Sequence, residues 1–529
     1  MKTLGCTVIL LLSYVFPAVA AQVYNGCAEP PATFRSVWYI DPVNGKTAAA
    51  GGNGSQAHPW NSLSAVTNAV TGYSYPLLST APYRHLNAAG TAYVFATGSG
   101  AGPIKPGDEI LLMSGNYGDI VIGANESELS NTAFVTVAAA PGQTPVLTSL
   151  FVYSAAMWAF DGLKVQSLSP GLYSKALIEI KDQGASYPTS NIVFENMTIS
   201  SQDDVSGWTQ AQWVADGRNG FVAASTAGGP DTKCISVSGS HITNVTFGAA
   251  FLANSLVFSG NEIDHFGDDG IDYGASDLSI TKNYIHDNLN IGDGNHEDAM
   301  QGIIGPLPAG VTVNNYEYIL IDSNTIIRQT DSNLQFPTYL QGIDAFDEEW
   351  TAVTVTNNVV ITSACWGIAY SSIHSSMIAN NTVVNDGILG LNCSPAISVS
   401  DKTHEGNSST STTVRNNLAN VIEIDNLDTV EADHNVGMAT AGPVFFWYVN
   451  GVTQYYSAPG TYGTANIIAA GGPESEFVDF APSTLTYNMK LKAGAAAIKA
   501  GTATGAPTVD ILGTARTVPY SAGAYAYPN

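Results

Sequence analysis

The sequence predicts an all-β solenoid, a parallel β-helix built from one strand-turn unit per coil. Three observations carry this expectation. From Leu256 onward one phrase returns in the same phase: LVFSGNEIDHFGDDGIDYG, LSITKNYIHDN, ILIDSNTIIRQ, VTVTNNVVITS and SMIANNTVVND. Each copy is an alternating apolar strand, an Asn, two residues and a polar turn. The Asn positions, Asn261, Asn283, Asn324, Asn358 and Asn381, lie 22, 41, 34 and 23 residues apart. An interval near 22 is one coil, and the longer ones are coils carrying loops. Gly is abundant and Asn, Ser and Thr are frequent, as coils and turns require.

The period of two assigns the faces. Two residues after the Asn stand Ile263, Ile285, Ile326 and Val360, which are expected to stack inward as an aliphatic ladder. The Asn at one turn of every coil is expected to bond its copies and the bent backbone, which is a structural use.

Met1 to about Ala21 reads as a secretory signal: Lys2, then the apolar VILLLSYVF, then the small-residue site Ala18-Val19-Ala20. No later apolar run is long enough to span a bilayer. A secreted product, extracellular or periplasmic, is therefore expected. With 44 acidic against 18 basic side chains the formal charge is −26, which argues against binding a phosphate backbone and hence against nucleic acid. Cys27, Cys234, Cys365 and Cys393 remain after the signal, an even number in a disulfide-permissive compartment. A Cys365–Cys393 link is compatible with a separation of about one coil, and the pairing stays open at this stage.

Val37–Val66 offers a strand, a Gly-rich loop and a short helical pattern, followed by KPGDEILLMSGNYGDIVI and FVTVAAAPGQTPVLTSL. The order DPVNG…GSQAHPWNSL, PGDEILLMSGNY, APGQTPV resembles the opening of extracellular right-handed parallel β-helix proteins of the pectate-lyase-like superfamily. DFAPS, AAAIKAG, DILGTAR and AGAYAY resemble that group's closing coil. The resemblance implies a single-stranded right-handed β-helix with an N-terminal cap and long loops on one face. Its expected divisions are a signal over 1–21, a cap region over 22–105, the helix with its functional-face loops over 106–440, and C-terminal coils with a cap over 441–529. Because that superfamily holds lyases, hydrolases, epimerases and non-catalytic adhesins, it implies a fold and leaves the reaction open.

Between these ends WAFDGLKVQSL, NIVFENMTISS and KCISVSGSHITNV read as further coils. Asp203–Gly229, with Trp208, Trp213 and Phe221, reads as a loop over one face. The aromatic Phe445–Gly463 segment suits capping of the core better than carbohydrate contact.

Aligning DDGIDYG, EDAMQG, LQGIDAF and CWGIAYS matches Asp269 with Asp298 and Gln341, and Asp272 with Gln301 and Asp344. Ile271, Met300, Ile343 and Ile368 then point inward. Matched residues on adjacent coils are about 4.8 Å apart, so Asp269, Asp272, Asp298 and Asp344 are expected to crowd one outward patch. Crowding of this kind raises pKa values or recruits a cation. Calcium, held by Asp269 and Asp298, is the one cofactor the pattern implies. The stretches Asn288–Tyr318 and Gln329–Thr351 open as loops on the same coils, and loops on a rigid scaffold build sites.

Three chemistries fit the patch. In β-elimination on a uronic-acid polysaccharide, His265 or His296 serves as base, Tyr273 as acid, and Arg328 or calcium neutralises the substrate carboxylate. A C5-epimerase uses the same parts, and a glycoside hydrolase uses paired Asp residues. Gln301, Tyr339, Gln341, Trp366 and Tyr370, with Tyr273, are the expected substrate contacts. The RIK and GHG pair of polygalacturonase-type hydrolases is missing, and basic residues are scarce near the patch. A non-catalytic carbohydrate-binding or surface solenoid is the opposing class; the varied coils and the loops beside the acidic patch favour an enzyme. The chain is read as a monomer acting on a polysaccharide, and elimination is placed narrowly ahead.

Overall fold

The computed structural model describes residues 27–68, 70–81, 83–86, 93–96, 102–123, 129–167, 176–182, 188–226, 232–305, 315–391, 393–401, 408–438, 442–449 and 452–528. The expected signal segment lies outside them. No helix among these residues is long and apolar enough to cross a membrane.

Alternating apolar residues need a partner for each strand face, and successive coils supply it. The described residues form three long sheets of 13, 14 and 13 strands, in which each coil pairs in parallel with the coils before and after it. One coil shows the plan: Asn254–Ser259 lies in the first sheet, Glu262–Phe266 in the second and Ile271–Tyr273 in the third. The next coils contribute Leu278–Thr281, Tyr284–His286 and Asp298–Gly302, then Ile319–Asp322, Thr325–Ile327 and Gln341–Ala345. The chain is a right-handed parallel β-helix, the hand that twisted strands impose on parallel crossovers. Its first sheet begins at Val37–Ile40, which pairs with Glu109–Leu112.

The inward ladder holds the coils together. Ile263, Ile285, Ile326 and Val360 are in direct register and fully buried. The Asn ladder stands at the corner between the first and second sheets. Asn283 shows the repeating pattern: its backbone N–H and its Nδ2 both donate to Asn324 Oδ1, at 2.9 Å each, while Nδ2 also donates to Phe258 O at 3.0 Å. Asn261, Asn324, Asn358 and Asn381 repeat it, and it continues through Asn417 and Asn435 to Asn466, beyond the copies the repeat had marked. Each Asn satisfies a bent backbone that would otherwise bury unpaired donors and acceptors, at about 1–3 kcal/mol per group.

Close packing fixes the corner before the third sheet. A Cβ on Gly270 would stand 2.7 Å from Ala299 O and 3.2 Å from Ile285 Cγ2. The Gly of GDDGID is therefore where one coil lies tightly on the next.

Two disulfides, Cys27–Cys234 and Cys365–Cys393, resolve the pairing. Phe445 and Trp447 stack at 5.0 Å and are buried at the last coil, so the aromatic segment does cap the core. Phe221, expected in a loop, is instead a buried residue of the strand Asn219–Ala224. The loop before it carries the helix Gln210–Asp216, whose Trp213 packs with Leu289, Ile291 and Leu334 in a small core shared with the two long loops. Beyond Ala469 the chain adds no further coil, so DFAPS, AAAIKAG, DILGTAR and AGAYAY do not form the expected closing one; Phe477–Ala481 and Thr486–Leu491 make a separate antiparallel hairpin. The chain then folds back along the outside of the second sheet, where Ala497, Ala522 and Ala524 cover Val359, Val384 and Leu418.

Candidate functional site

The expected register at the acidic patch is the observed one. Ile271 pairs with Met300, Met300 with Ile343 and Ile343 with Ile368, all fully buried. By alternation, Asp272, Gln301 and Asp344 share one outward row, and Asp298 pairs with Gln341. Asp269 sits at the preceding corner, where its Oδ1 accepts the Asp298 backbone N–H at 2.8 Å. The four carboxylates drawn from three coils therefore meet.

They meet in a recess. Asp298 is fully buried, Asp344 is 1% exposed and Asp269 3%, while Asp272 and Gln301 are half-buried and form the mouth. Asp298 Oδ2 accepts from His296 Nδ1 at 2.6 Å and from Gln301 Nε2 at 3.1 Å. Asp298 and Asp344 lie within hydrogen-bonding reach of each other, as a carboxyl and a carboxylate sharing a proton do, and Asp272 Oδ1 is buried without a hydrogen-bond partner. Among the described residues no Lys or Arg pairs with any of the four.

The electrostatics follow. Burial, then the charges of Asp272 and Asp298, push the Asp269 carboxyl up to about 10. Burial, then Asp268 and Asp298, push Asp272 up to about 8. Asp344 is raised well above the usual carboxylate range by burial and by Asp298 beside it, and burial raises Asp298 as well. Such a group must hold protons or a cation at neutral pH. Buried carboxylate oxygens with open acceptor capacity are the donors a hard dication takes, so Asp269, Asp272, Asp298 and Asp344 fit calcium.

A test by pH follows directly. A carboxyl whose folded-state pKa lies above its unfolded value near ~4 stabilises the fold fully below that value and loses the contribution as pH rises to the folded-state pKa. In chelator, the thermal midpoint should therefore fall as pH rises from about 4 to about 8, through Asp272, and on toward about 10, through Asp269. Excess calcium should remove the fall, and Asp272→Asn should lessen it in chelator. A midpoint that is flat with pH in chelator, or identical slopes for wild type and Asp272→Asn, would sink the assignment.

Other expected members lie elsewhere. Tyr273 and Tyr370 are fully buried inside the coil; their hydroxyls share a 2.8 Å hydrogen bond and Tyr273 donates to Asp344 O. Neither reaches substrate, because both keep the inward parity of Ile271 and Ile368. Arg328 is 1% exposed and donates to Asp386 at 2.7 Å and to Thr338 O, an internal ion pair rather than a substrate neutraliser. His265 turns to Asp264 on the second sheet, its Nδ1 2.6 Å from the Oδ1. His296 does stand at the patch, with its side chain 60% exposed. Tyr339 is exposed, Gln341 is half-buried beside Asp298, and Trp366 is half-buried against Phe346.

Two residues of the site were not singled out from sequence. Asp268 borders the recess, and Asn288 donates from Nδ2 to the carbonyls of Phe266 and Asp268 with its Oδ1 buried and unpartnered. Asp268 was legible as the first carboxylate of GDDGID. Asn288 had no signal beyond its place at the start of a loop.

No protein-family profile matches the chain, and no curated protein matches it. Among solved structures it is similar to the pectate lyase Pel9A, at 14% identity over 93% of this chain and 96% of that one, with a TM-score of 0.43. It is similar to a mannuronic-acid-specific polysaccharide family 6 lyase from human gut microbiota, at 12% identity over 64% and 82%, TM-score 0.34. The Azotobacter vinelandii mannuronan C-5 epimerase AlgE6 A-module matches at 13% identity over 68% and 90%, TM-score 0.27. Likenesses at this level leave the fold and the reaction to be argued from this chain's own strands and side chains.

Proposed function

We propose that this protein is a secreted polysaccharide lyase that cleaves a uronic-acid-containing chain by β-elimination at the recess of Asp269, Asp272, Asp298 and Asp344. One observation carries the reading: four carboxylates from three coils meet, three of them buried, and among the described residues no Lys or Arg pairs with any of them. An oxygen-only dication site open at one side, beside an exposed imidazole, suits an anionic sugar. Calcium held there supplies the positive charge that neutralises the substrate carboxylate and acidifies the adjacent C–H.

The chain's own groups do the rest. Ionised Asp298 accepts from His296 Nδ1, which holds the imidazole in the tautomer with its lone pair on Nε2, facing solvent. His296 Nε2 takes the C5 proton, the C5–H electron pair forms the C4=C5 double bond, and the C4–O4 bond breaks with O4 taking its proton from solvent water at the open side of the site. Gln301 keeps Asp298 oriented, and Tyr339 offers an exposed ring for a neighbouring sugar. Two disulfides suit an exported protein. Paired Asp residues on adjacent rungs, about 4.8 Å apart, are too close for an inverting hydrolase, which needs ~6.5–9.5 Å, and near the ~5–5.5 Å of a retaining one, so the product ends separate hydrolysis from elimination.

A panel of uronate-containing and neutral polysaccharides tests this, read for unsaturated uronate ends and for reducing ends. The expected result is unsaturated ends from a uronate polymer, lost in chelator and restored by calcium. Reducing ends without unsaturation would replace the reading with hydrolysis. No cleavage of any polymer with calcium present would remove the lyase reading.

A further inference from the structure

His265, through Asp264, borders a second cluster on the outer face of the second sheet. Its strands place two outward rows across three coils: His241, Glu262 and Tyr284 in one, Thr243, Asp264 and His286 in the other. His241 Nε2 lies 2.5 Å from Asp264 Oδ2, and His286 Nε2 lies 3.1 Å from Glu262 Oε1. The donor atoms of His241, Glu262 and Asp264 all fall within 4.8 Å of one another.

We propose that His241, Glu262 and Asp264 bind a transition-metal dication of the zinc type, and that His286, which stands against Glu262, turns in as the fourth donor. Two imidazole nitrogens with two carboxylates form a borderline-soft donor set that suits zinc, whereas calcium and magnesium take oxygen alone. This sets the cluster apart from the oxygen-only recess on the third sheet.

The surroundings orient each donor as metal ligands are oriented. His286 Nδ1 lies 2.6 Å from Asp287 Oδ2 and its Nε2 3.1 Å from Glu262 Oε1, so with Nδ1 held by Asp287 a bound ion takes the place of the Nε2 proton. Asp287 is itself held by the backbone N–H groups of Thr330 and Asp331 and by the Thr330 hydroxyl. Tyr284 stacks on the His286 ring at 4.0 Å. On Asp264, Thr243 Oγ1 and His265 Nδ1 occupy Oδ1, so Oδ2 is the oxygen turned toward His241. The side chains of His241 and Glu262 are 41% and 46% exposed, giving entry from solvent, while those of Asp264 and His286, at 9% and 10%, anchor the ion. With ligands from three successive coils, the bound ion staples the solenoid.

Equilibrium dialysis of the full chain against zinc, in excess calcium to fill the oxygen-only recess, tests the site; cobalt(II) serves as the spectroscopic substitute. The expected result is one equivalent bound, four-coordinate cobalt absorption bands and a raised thermal midpoint. His241→Gln, at an exposed position, should weaken zinc about 100-fold or more, and Asp287→Asn, one shell out, about 10–100-fold. Asp298→Asn should leave zinc binding unchanged. The site is refuted by no uptake in wild type, by equal uptake in a folded His241→Gln protein, by six-coordinate cobalt bands, or by loss of uptake in Asp298→Asn.

Discussion

Asp298→Asn should abolish the release of unsaturated uronate ends, with kcat reduced at least ~10³-fold, the effect of losing several kcal/mol of charge stabilisation. Asp298 joins the parts of the proposed site: Oδ2 holds His296 and Gln301, and the carboxyl lies against that of Asp344. The amide keeps the shape and removes the charge, so calcium affinity should fall together with kcat. The same change should raise the thermal midpoint in chelator at neutral pH, because it removes the buried charge against which Asp269, Asp272 and Asp344 must hold their protons. His296→Ala separates the two roles. It should lower kcat about 10²–10⁴-fold, the usual range for a general base, while calcium titration stays unchanged. If Asp298→Asn keeps full activity on the polymer that wild type cleaves, the reaction takes place elsewhere on the solenoid. If His296→Ala does so while Asp298→Asn is dead, the cation site stands and the base is another group.

Ile285→Asp should destabilise the protein by about 4–5 kcal/mol or more, the cost of an unpaired carboxyl in a sealed core. Ile285 is fully buried between Ile263 and Ile326 and touches the corner at Gly270 that carries the GDDGID turn. A solenoid couples neighbours, so the damage should spread to the coils on either side and to the acidic recess. Since the variant risks not folding, Ile285→Val serves beside it. Loss of one methyl group should cost about 0.5–1.5 kcal/mol, read as a small drop in denaturant midpoint with activity retained. A normal thermal midpoint for Ile285→Asp would mean the residue does not face the core.

The sequence alone determined the β-helix, the inward aliphatic ladder, the Asn ladder and the register that brings Asp269, Asp272, Asp298 and Asp344 together. Its reach has a physical cause: in a solenoid, residues in the same phase of successive coils become neighbours, so contacts between distant residues, as from Asn283 to Asn324, 41 residues on, follow from counting. Tyr273 and Tyr370 were legible by the same rule, since the parity that turned Ile271 inward turned them inward too. What only the tertiary structure decided lies outside that phase. Arg328 is claimed by Asp386, 58 residues on. His265, only four residues before Asp269, faces the second sheet and not the third, because the chain turns a corner between them. The disulfide partners and the C-terminal segment lying back on the second sheet belong to the same class. Repeat phase specifies which rung meets which; the turning of corners and the partners a loop finds are set by packing among segments that share no repeat.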